Sequence, residues 1–218
     1  MTTYRLHAFA QSGNCYKVAL YLACAGLPFE IAPVAYGAGQ TRDPAWRQRV
    51  NPMGEAPVLE VDGEAMTQSG AILTWLAEHT GHFAPRNEAV RYEALRWILF
   101  DNHKFTNFNA TWRFLNTFKL PAEPDPAVMG FLQGRRDAAF AIVEQHMRER
   151  SFVADEAPTI ADFSMMGYLF FPAEEVGFDL AQSYPAMHAW TQRIKALPGW
   201  KPPYDLLPSA DMPRRTAA

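Results

Sequence analysis

The first eighty residues change between strand-like and helix-like spacing of hydrophobic positions. Residues 4–9 alternate apolar with polar side chains and end at a turn of small polar residues, which is typical of a strand. Apolar side chains recur at helical spacing over residues 15–22, and Gly26 with Pro28 ends that helix. Residues 29–34 again have the pattern of a strand. The chain is therefore predicted to begin in the order strand, helix, strand.

A hairpin and a further helix complete this region. The segment 57–67 holds two strand-like runs around Asp62-Gly63, a dipeptide that favours a tight turn between antiparallel strands. Ser69 stands at the N-cap position of a helix that has one apolar face and ends at Gly81. The order β-α-β, a loop-rich stretch and then β-β-α predicts an α/β domain.

Beyond Gly81 only helical patterns occur. Apolar positions predict one long helix over about 88–118 and a second over about 127–150, with a proline-rich break between them. Thr159 and Asp162 form a capping-box pattern at the start of a later helix. These features predict that the second part of the chain is all-α.

This organisation predicts two domains. The length of 218 residues and a hydrophobic content of 49% leave enough apolar material for two cores. The pattern favours an α/β domain of residues 1–81, a linker of residues 82–87, an all-helical domain of residues 88–208 and a disordered polar tail of residues 209–218.

Charge and cysteine content argue against several classes of function. The net charge is -3 and no basic stripe occurs, so the chain is not expected to bind nucleic acid. It has no signal-peptide pattern and no apolar run long enough to span a bilayer, so no membrane contact is expected. Cys15 and Cys24 lie in one predicted helix, too far apart for a disulfide. These points favour a reducing, cytoplasmic location.

Two segments of the first domain carry candidate chemistry. Residues 12–18 join the first strand to the first helix, where free N–H groups favour an anion, although this segment taken alone favours an ordinary helix cap. Residues 51–59 lead through Pro57 into a strand. A cis bond between Ala56 and Pro57 would turn the backbone of Ala56 towards an extended peptide ligand, and a turn that feeds the hairpin is the alternative.

A third segment, Gln68-Ser69, opens the next helix. Its amide, its hydroxyl and the free N–H groups of the first helical turn would together hold a carboxylate. The alternative is a plain N-cap. Each of the three segments is ambiguous alone, whereas their joint order and spacing are specific.

The chain resembles the glutathione transferase superfamily over most of its length, from Tyr4 to about Trp200. The features that carry the resemblance are residues 12–18, the Asn-Pro-x-Gly-x-x-Pro segment ending at Pro57, Gln68-Ser69, and the box formed by Thr159 and Asp162. The resemblance implies a thioredoxin-like domain that binds glutathione, followed by an all-α domain that holds the second substrate.

The resemblance also implies a role for each matching residue. Ser12 falls where serine-type transferases keep the hydroxyl that hydrogen-bonds the sulfur of glutathione. The S-x-N-x-x-K-V pattern is also similar to the Nu-type class, in which an asparagine amide takes part. Ser12 and Asn14 are therefore the catalytic candidates, with Ser12 preferred. Ala56, oriented by Pro57, would pair through its backbone with the cysteinyl part of glutathione.

The candidate residues for the two ends of glutathione depart in part from the family pattern. Gln68 and Ser69 would hold the γ-glutamyl end, although Gln68 replaces a glutamate common in the family; an amide still donates and accepts hydrogen bonds. Glu55 stands where many relatives carry Lys or Gln. Because an acid repels the glycyl carboxylate, only the backbone of Glu55 is expected to contribute. Arg42 would supply the missing positive charge at the glycyl end.

Other reactive side chains are predicted to be structural. Some relatives use a cysteine near the first turn for thiol–disulfide exchange, but Cys15 begins the apolar face of the first helix and is expected to be a buried thiol. His79 and His82 lie three positions apart without companion ligands, so no metal site is predicted.

Phe105, Phe108 and Trp112 share one face of the long helix. Such a stripe usually belongs to the core. The alternative, carried here as a candidate, is an apolar pocket for the second substrate.

The function implied is that of a glutathione transferase, a detoxification enzyme in which the protein ionises the thiol of a bound tripeptide. Lowering a thiol pKa from about 8.5 by about two units requires about 2.7 kcal/mol, which one charge-assisted hydrogen bond and a helix dipole supply. The thiolate would attack an apolar electrophile whose identity the sequence does not reveal. A glutathione-dependent peroxidase or disulfide reductase, and a non-catalytic glutathione-binding regulatory protein, are the alternatives. The family also implies a homodimer.

Overall fold

The structure, a computed structural model, describes residues 2–118 and 120–215. The strands are β1 (Tyr4–Ala8), β2 (Phe29–Pro33), β3 (Val58–Val61) and β4 (Glu64–Thr67). The helices of the first part are α1 (Gly13–Cys24), α2 (Pro44–Arg49) and α3 (Ser69–Thr80), with a 3-10 turn at Gln40–Arg42. The later helices are α4 (Glu88–Phe100), α5 (Thr106–Thr117), α6 (Pro126–Met147), α7 (Ile160–Met165), α8 (Ala173–Val176), α9 (Leu180–Ser183), α10 (Pro185–Lys195) and α11 (Pro203–Leu206).

The four strands form one mixed sheet in the order β2-β1-β3-β4. β1 and β2 are parallel, and α1 makes the crossover between them, whereas β3 pairs antiparallel with both β1 and β4. The turn between β3 and β4 places Asp62 at φ 50° and Gly63 at φ 93°, a conformation that Asp and Gly tolerate best. The predicted hairpin and the predicted fold class, an α/β part followed by a mostly helical part, are confirmed.

The long helix predicted over 88–118 is interrupted. Residues Asp101–Phe105 form a π-helical turn between α4 and α5, in which the N–H of Thr106 bonds to the carbonyl of Asp101. Such a turn holds one residue more than an α-helical turn, so it rotates every side chain that follows it. The side chains of α5 therefore face directions that a continuous helix would not give them.

The helix α1 joins the two parts of the molecule. It packs on the sheet and α3 on one side and on α7 with the 3-10 turn Met166–Tyr168 on the other. Gly13 faces Gly167 so closely that a Cβ at Gly13 would overlap the carbonyl oxygen of Gly167. Lys17 and Asp101, both fully buried, form a salt bridge of 2.7 Å across the same junction. The N-terminus of α1 is therefore held firmly against the helical part.

The predicted capping box is confirmed at the start of α7. Thr159 and Asp162 cap each other's backbone, and the carboxylate of Asp162 also accepts hydrogen bonds from Val153 N (2.9 Å) and Trp190 Nε1 (2.9 Å). Burial raises the pKa of Asp162 to about 6 in spite of these donors. The box thereby ties α7 to α10 through the buried indole of Trp190.

The tail differs from the disorder predicted from Ser209 onwards. Ala210 exchanges two hydrogen bonds with the side chain of Gln11, at 2.9 and 3.0 Å, and Arg214 bridges to Phe118. Backbone and side-chain pairing thus holds this polar segment as far as Arg215; residues 216–218 of the predicted tail lie outside the described residues. Within the described ranges, no helix has the length and apolar content needed to cross a membrane.

Candidate functional site

A cavity of about 480 Å³ lies between the α/β part and the helical part. The α/β part contributes Ser12, Asn14, Ala56 and Gln68 to its lining. The helical part contributes residues of α5, including Arg113. Residues predicted from separate segments of the sequence are thus brought to one cavity, because the N-termini of α1 and α3 both open towards it.

Ser12 is the N-cap of α1 and is nearly buried, with an exposure of 9%. Its extended backbone (φ -92°, ψ 112°) lets its Oγ accept a hydrogen bond from Cys15 N at 3.2 Å. A hydroxyl that accepts in this way still has its own proton to donate. The predicted cap and the predicted donor are therefore compatible, since each uses a different part of the hydroxyl group.

Asn14 lies in the first turn of α1 and also lines the cavity. Its Oδ1 is buried and has no hydrogen-bond partner among the described residues. A buried unpaired amide oxygen costs about 1–3 kcal/mol, so a ligand that donates to it is favoured. Because the two ends of an amide exchange places by a rotation about χ2, the same side chain is equally able to offer its NH₂ group.

The segment before β3 holds Ala56 in the cavity wall, and the Ala56-Pro57 bond is cis, as predicted. Asn51, almost completely buried, organises this segment: its Nδ2 donates to Glu55 O at 2.8 Å, and its Oδ1 accepts from Met53 N at 3.0 Å. Asn51 is the first residue of the Asn-Pro-x-Gly-x-x-Pro segment, and the sequence indicated no role for its side chain. Its role depends on hydrogen bonds to backbone groups two and four residues away, which the motif alone does not specify.

Gln68 and Ser69 form the start of α3, beside a smaller cavity of about 40 Å³. Gln68 has φ 67° and ψ 111°, a conformation that costs a non-glycine residue about 1–3 kcal/mol and is common at ligand sites. Its Nε2 donates to Glu55 Oε2 at 2.9 Å. Asn102, from the π-helical turn, lines the same small cavity. Asn102 was not predicted from the sequence, because its position depends on how the two parts pack.

Arg42 ends the 3-10 turn at Gln40–Arg42 and lines the large cavity, and its role at the glycyl end stays a prediction. Cys15 is completely buried, and burial raises the pKa of its thiol to about 11. A thiol with such a pKa is about one ten-thousandth ionised at pH 7. This burial agrees with the interpretation of Cys15 as a structural residue.

The expectation that Phe105, Phe108 and Trp112 line a pocket for the second substrate is corrected by the structure. None of the three lines the large cavity that the described residues form. They do share one face, but that face packs on α6. Phe105 stacks on Phe140 with ring centroids 4.6 Å apart, and Trp112 lies under the guanidinium of Arg136 at 4.9 Å. The stripe therefore belongs to the contact between α5 and α6, which is the usual role of such a stripe.

The cavity wall at α5 is formed instead by Ala110, Arg113 and Phe114, and by Phe118, which directly follows the helix. Together with Phe9, Tyr36 and Tyr168 on the facing elements, these residues give the cavity aromatic surface beside its polar groups. Helical spacing in the sequence shows which residues of α5 share a face. It does not show which of the two faces is turned to the cavity.

Arg113 is the most deeply buried cation of this wall, with an exposure of 1%. Its guanidinium pairs with Glu175, donates to Gln11 O at 2.8 Å and to the hydroxyl of Tyr204 at 3.0 Å, and stacks on Phe171 at 3.6 Å. These contacts connect the loop before Ser12 to the helical part. Arg113 has no local signal in the sequence, since all of these partners are distant in the chain.

Both parts of the chain match known protein families. Residues 11–79 match the model of the glutathione S-transferase N-terminal domain, and residues 112–198 match that of the glutathione S-transferase C-terminal domain.

Individual relatives agree with these matches. Glutathione S-transferase GST-4.5 of Xanthomonas campestris pv. campestris is 30% identical over 179 residues, covering 78% of this chain and 82% of that protein. Disulfide-bond oxidoreductase YfcG of Escherichia coli is 26% identical over 210 residues, covering 87% and 89%. The crystal structure of a glutathione S-transferase from Pseudomonas fluorescens superposes with a TM-score of 0.82 at 32% identity, covering 93% of this chain and 99% of that one. This chain therefore belongs to the glutathione transferase superfamily.

Proposed function

We propose that the protein is a glutathione transferase that binds glutathione between Ala56 and the start of α3 and ionises its thiol at Ser12 and Asn14. The observation that carries the proposal is the convergence of these groups on one cavity from three separate segments. In this proposal residues 1–81 carry glutathione and residues 88–208 the second substrate. We also propose a cytoplasmic location, where glutathione is abundant and reduced.

The mechanism follows from the groups around the cavity. The backbone of Ala56 aligns the cysteinyl unit, and Ser69 with the N-terminus of α3 receives the γ-glutamyl carboxylate. The Ser12 hydroxyl donates to the sulfur, and the positive end of α1 adds to the stabilisation of the thiolate. The protein supplies no nucleophile of its own; it ionises and aims that of glutathione. The aromatic surface of α5 would hold an apolar electrophile above the sulfur.

Glutathione binding is the direct test of this function. Calorimetry is expected to give a dissociation constant between micromolar and low millimolar, equivalent to about -4 to -8 kcal/mol. Ser69→Ala removes a hydroxyl from the γ-glutamyl site and is expected to weaken binding by about five- to tenfold. Ser209→Ala, an exposed serine of the tail, serves as the matched control. Absence of heat and of any thermal shift with about 10 mM glutathione would contradict the proposal.

Reduction of disulfides is the second candidate function, favoured by the likeness to the E. coli disulfide-bond oxidoreductase. The same ionised glutathione thiol would attack a disulfide in place of an electrophile. A non-catalytic, glutathione-binding role is the third possibility. Turnover of the purified protein with aryl halides, epoxides, organic peroxides and mixed disulfides distinguishes all three. Turnover of aryl halides or epoxides indicates the transferase, turnover of mixed disulfides indicates the reductase, and only the third role predicts binding without turnover.

We propose that the protein is a homodimer. Its support is an apolar row on α4, where Tyr92, Leu95 and Leu99 are 58, 46 and 61% exposed at helical spacing, with Met53 exposed at 57%. Exposed apolar rows of this kind mark interfaces. Light scattering is expected to give twice the chain mass of 24.6 kDa.

Leu95→Glu with Leu99→Glu should reduce that mass to the single-chain value, because two charges would have to be buried in the interface. Val128→Glu, which changes an exposed apolar residue of α6, is the control and should leave the dimer intact. A wild-type mass near 24.6 kDa at micromolar concentration would refute the dimer.

A further inference from the structure

The γ-glutamyl end of glutathione carries both a carboxylate and an ammonium group. In the proposed function the N-terminus of α3 receives the carboxylate. The ammonium needs an acid, and Gln68, where the family commonly has a glutamate, is neutral. A residue other than Gln68 therefore has to supply the negative charge in the small cavity beside α3.

Glu55 is the acid that lines this small cavity. Its Oε2 accepts a hydrogen bond from Gln68 Nε2 at 2.9 Å, so the carboxylate lies within one hydrogen bond of the position where a glutamate at 68 would end. No described Lys, Arg or His forms a salt bridge with Glu55. A second hydrogen bond, from Asn51 Nδ2 to Glu55 O at 2.8 Å, holds the backbone that carries this side chain.

We propose that Glu55 binds the α-ammonium of the γ-glutamyl residue and that Gln68 positions the carboxylate for it. The proposal rests on the proposed function and revises the expectation that Glu55 repels the glycyl carboxylate. Its side chain accepts a hydrogen bond from Gln68 at the start of α3 and forms no salt bridge with Arg42 among the described residues. Glu55 thus carries the negative charge that a glutamate at position 68 would carry, and the small cavity still contains one carboxylate.

The consequence is a specificity for the free amino group of glutathione. An ion pair at an exposed position, formed with a charged donor, changes affinity by about three- to tenfold. Glu55→Gln is isosteric, and it should weaken the binding of glutathione by that factor. It should leave unchanged the binding of the desamino analogue, glutaryl-cysteinyl-glycine, which lacks only the ammonium group.

Calorimetry with both peptides on four proteins tests this. The proteins are the wild type, Glu55→Gln, the charge-relocated variant Glu55→Gln with Gln68→Glu, and the control Glu64→Gln on exposed β4. We expect the relocated variant to regain most of the lost affinity for glutathione and the control to match the wild type. A merely structural role for Glu55 would weaken both peptides equally and would not be rescued by Gln68→Glu.

Three results with the Glu55→Gln variant would overturn the proposal: an equal loss of affinity for both peptides, no loss of affinity for glutathione, or tighter binding of glutathione. The last would mean that the acid repels the glycyl carboxylate. If the wild type binds neither peptide, the proposed function itself is wrong and the role of Glu55 falls with it. If the wild type binds both peptides equally well, the function stands and only the role of Glu55 is rejected.

Discussion

Replacing Lys17 by methionine is expected to lower the free energy of unfolding by about 3–5 kcal/mol, the largest effect of any change considered for this protein. Lys17 and Asp101 are both completely buried, and their charged atoms lie 2.7 Å apart. Asp101 also accepts hydrogen bonds from Ser164 Oγ at 2.7 Å and Thr106 Oγ1 at 2.6 Å. Without Lys17, the buried carboxylate of Asp101 keeps only the hydrogen bonds from the Ser164 and Thr106 hydroxyls, and no positive charge compensates it. Denaturant unfolding at neutral pH, with an unchanged m-value, measures the loss.

Two variants give this prediction its controls. Lys201→Met makes the same chemical change on an exposed side chain and should alter stability by less than about 0.5 kcal/mol. Lys17→Met combined with Asp101→Asn removes both charges and keeps a side chain that Ser164 and Thr106 are able to bond. This double variant should therefore be more stable than Lys17→Met alone. A loss below about 1 kcal/mol for Lys17→Met would show that the pair does not hold the two parts together.

Replacing Ser12 by alanine is expected to raise the pKa of the bound glutathione thiol by about one to two units, or about 1.4–2.7 kcal/mol. The Ser12 hydroxyl already accepts from Cys15 N, so its proton is the part that is free for the sulfur. Asn14→Ala should then cost less. In the Nu-like alternative, Asn14→Ala equals or exceeds Ser12→Ala, and the double variant is less than additive. The ultraviolet absorbance of the thiolate, titrated with pH, decides between the two.

Two further variants and a measurement of unfolding separate the effect on the thiol from the effect on folding. Ser12→Ala also loses the N-cap of α1, about 1 kcal/mol, so unfolding has to be measured beside the titration. Ser12→Thr keeps both the cap and the donor and should retain a low thiol pKa. Cys15→Ala should affect stability only. Loss of all turnover in Cys15→Ala with Ser12→Ala fully active would make the protein a cysteine-type thiol transferase instead.

The sequence correctly predicted those structural elements whose signals come from neighbouring residues. The Asp62-Gly63 hairpin and the box of Thr159 and Asp162 depend on neighbours in the chain, and the structure confirms both. The candidates in segments 12–14, 56–57 and 68–69 all meet at adjoining cavities. Their roles stay predictions until the variants are measured.

The helical part was harder to predict, because several of its features depend on distant contacts. A continuous pattern over 88–118 conceals the π-helical turn at Asp101–Phe105, which tertiary contacts stabilise through the buried carboxylate of Asp101. The aromatic face was identified correctly, but its partner is α6 and not the cavity. A stripe of apolar residues predicts that a surface is buried and does not say what covers it.

By itself the sequence determined the cap of α1 and the hairpin, since each follows from residues close together in the chain. It also determined the two-part fold and the family resemblance, through the order and spacing of short local patterns along the chain. Only the tertiary structure decided that Arg113 and Asn102 lie in the cavity walls, that the tail pairs with Gln11, and that Glu55 faces Gln68. The reason is physical: a side chain's charge and shape are local properties. The partner that compensates the charge or fills the space is chosen by packing between elements that lie far apart in sequence.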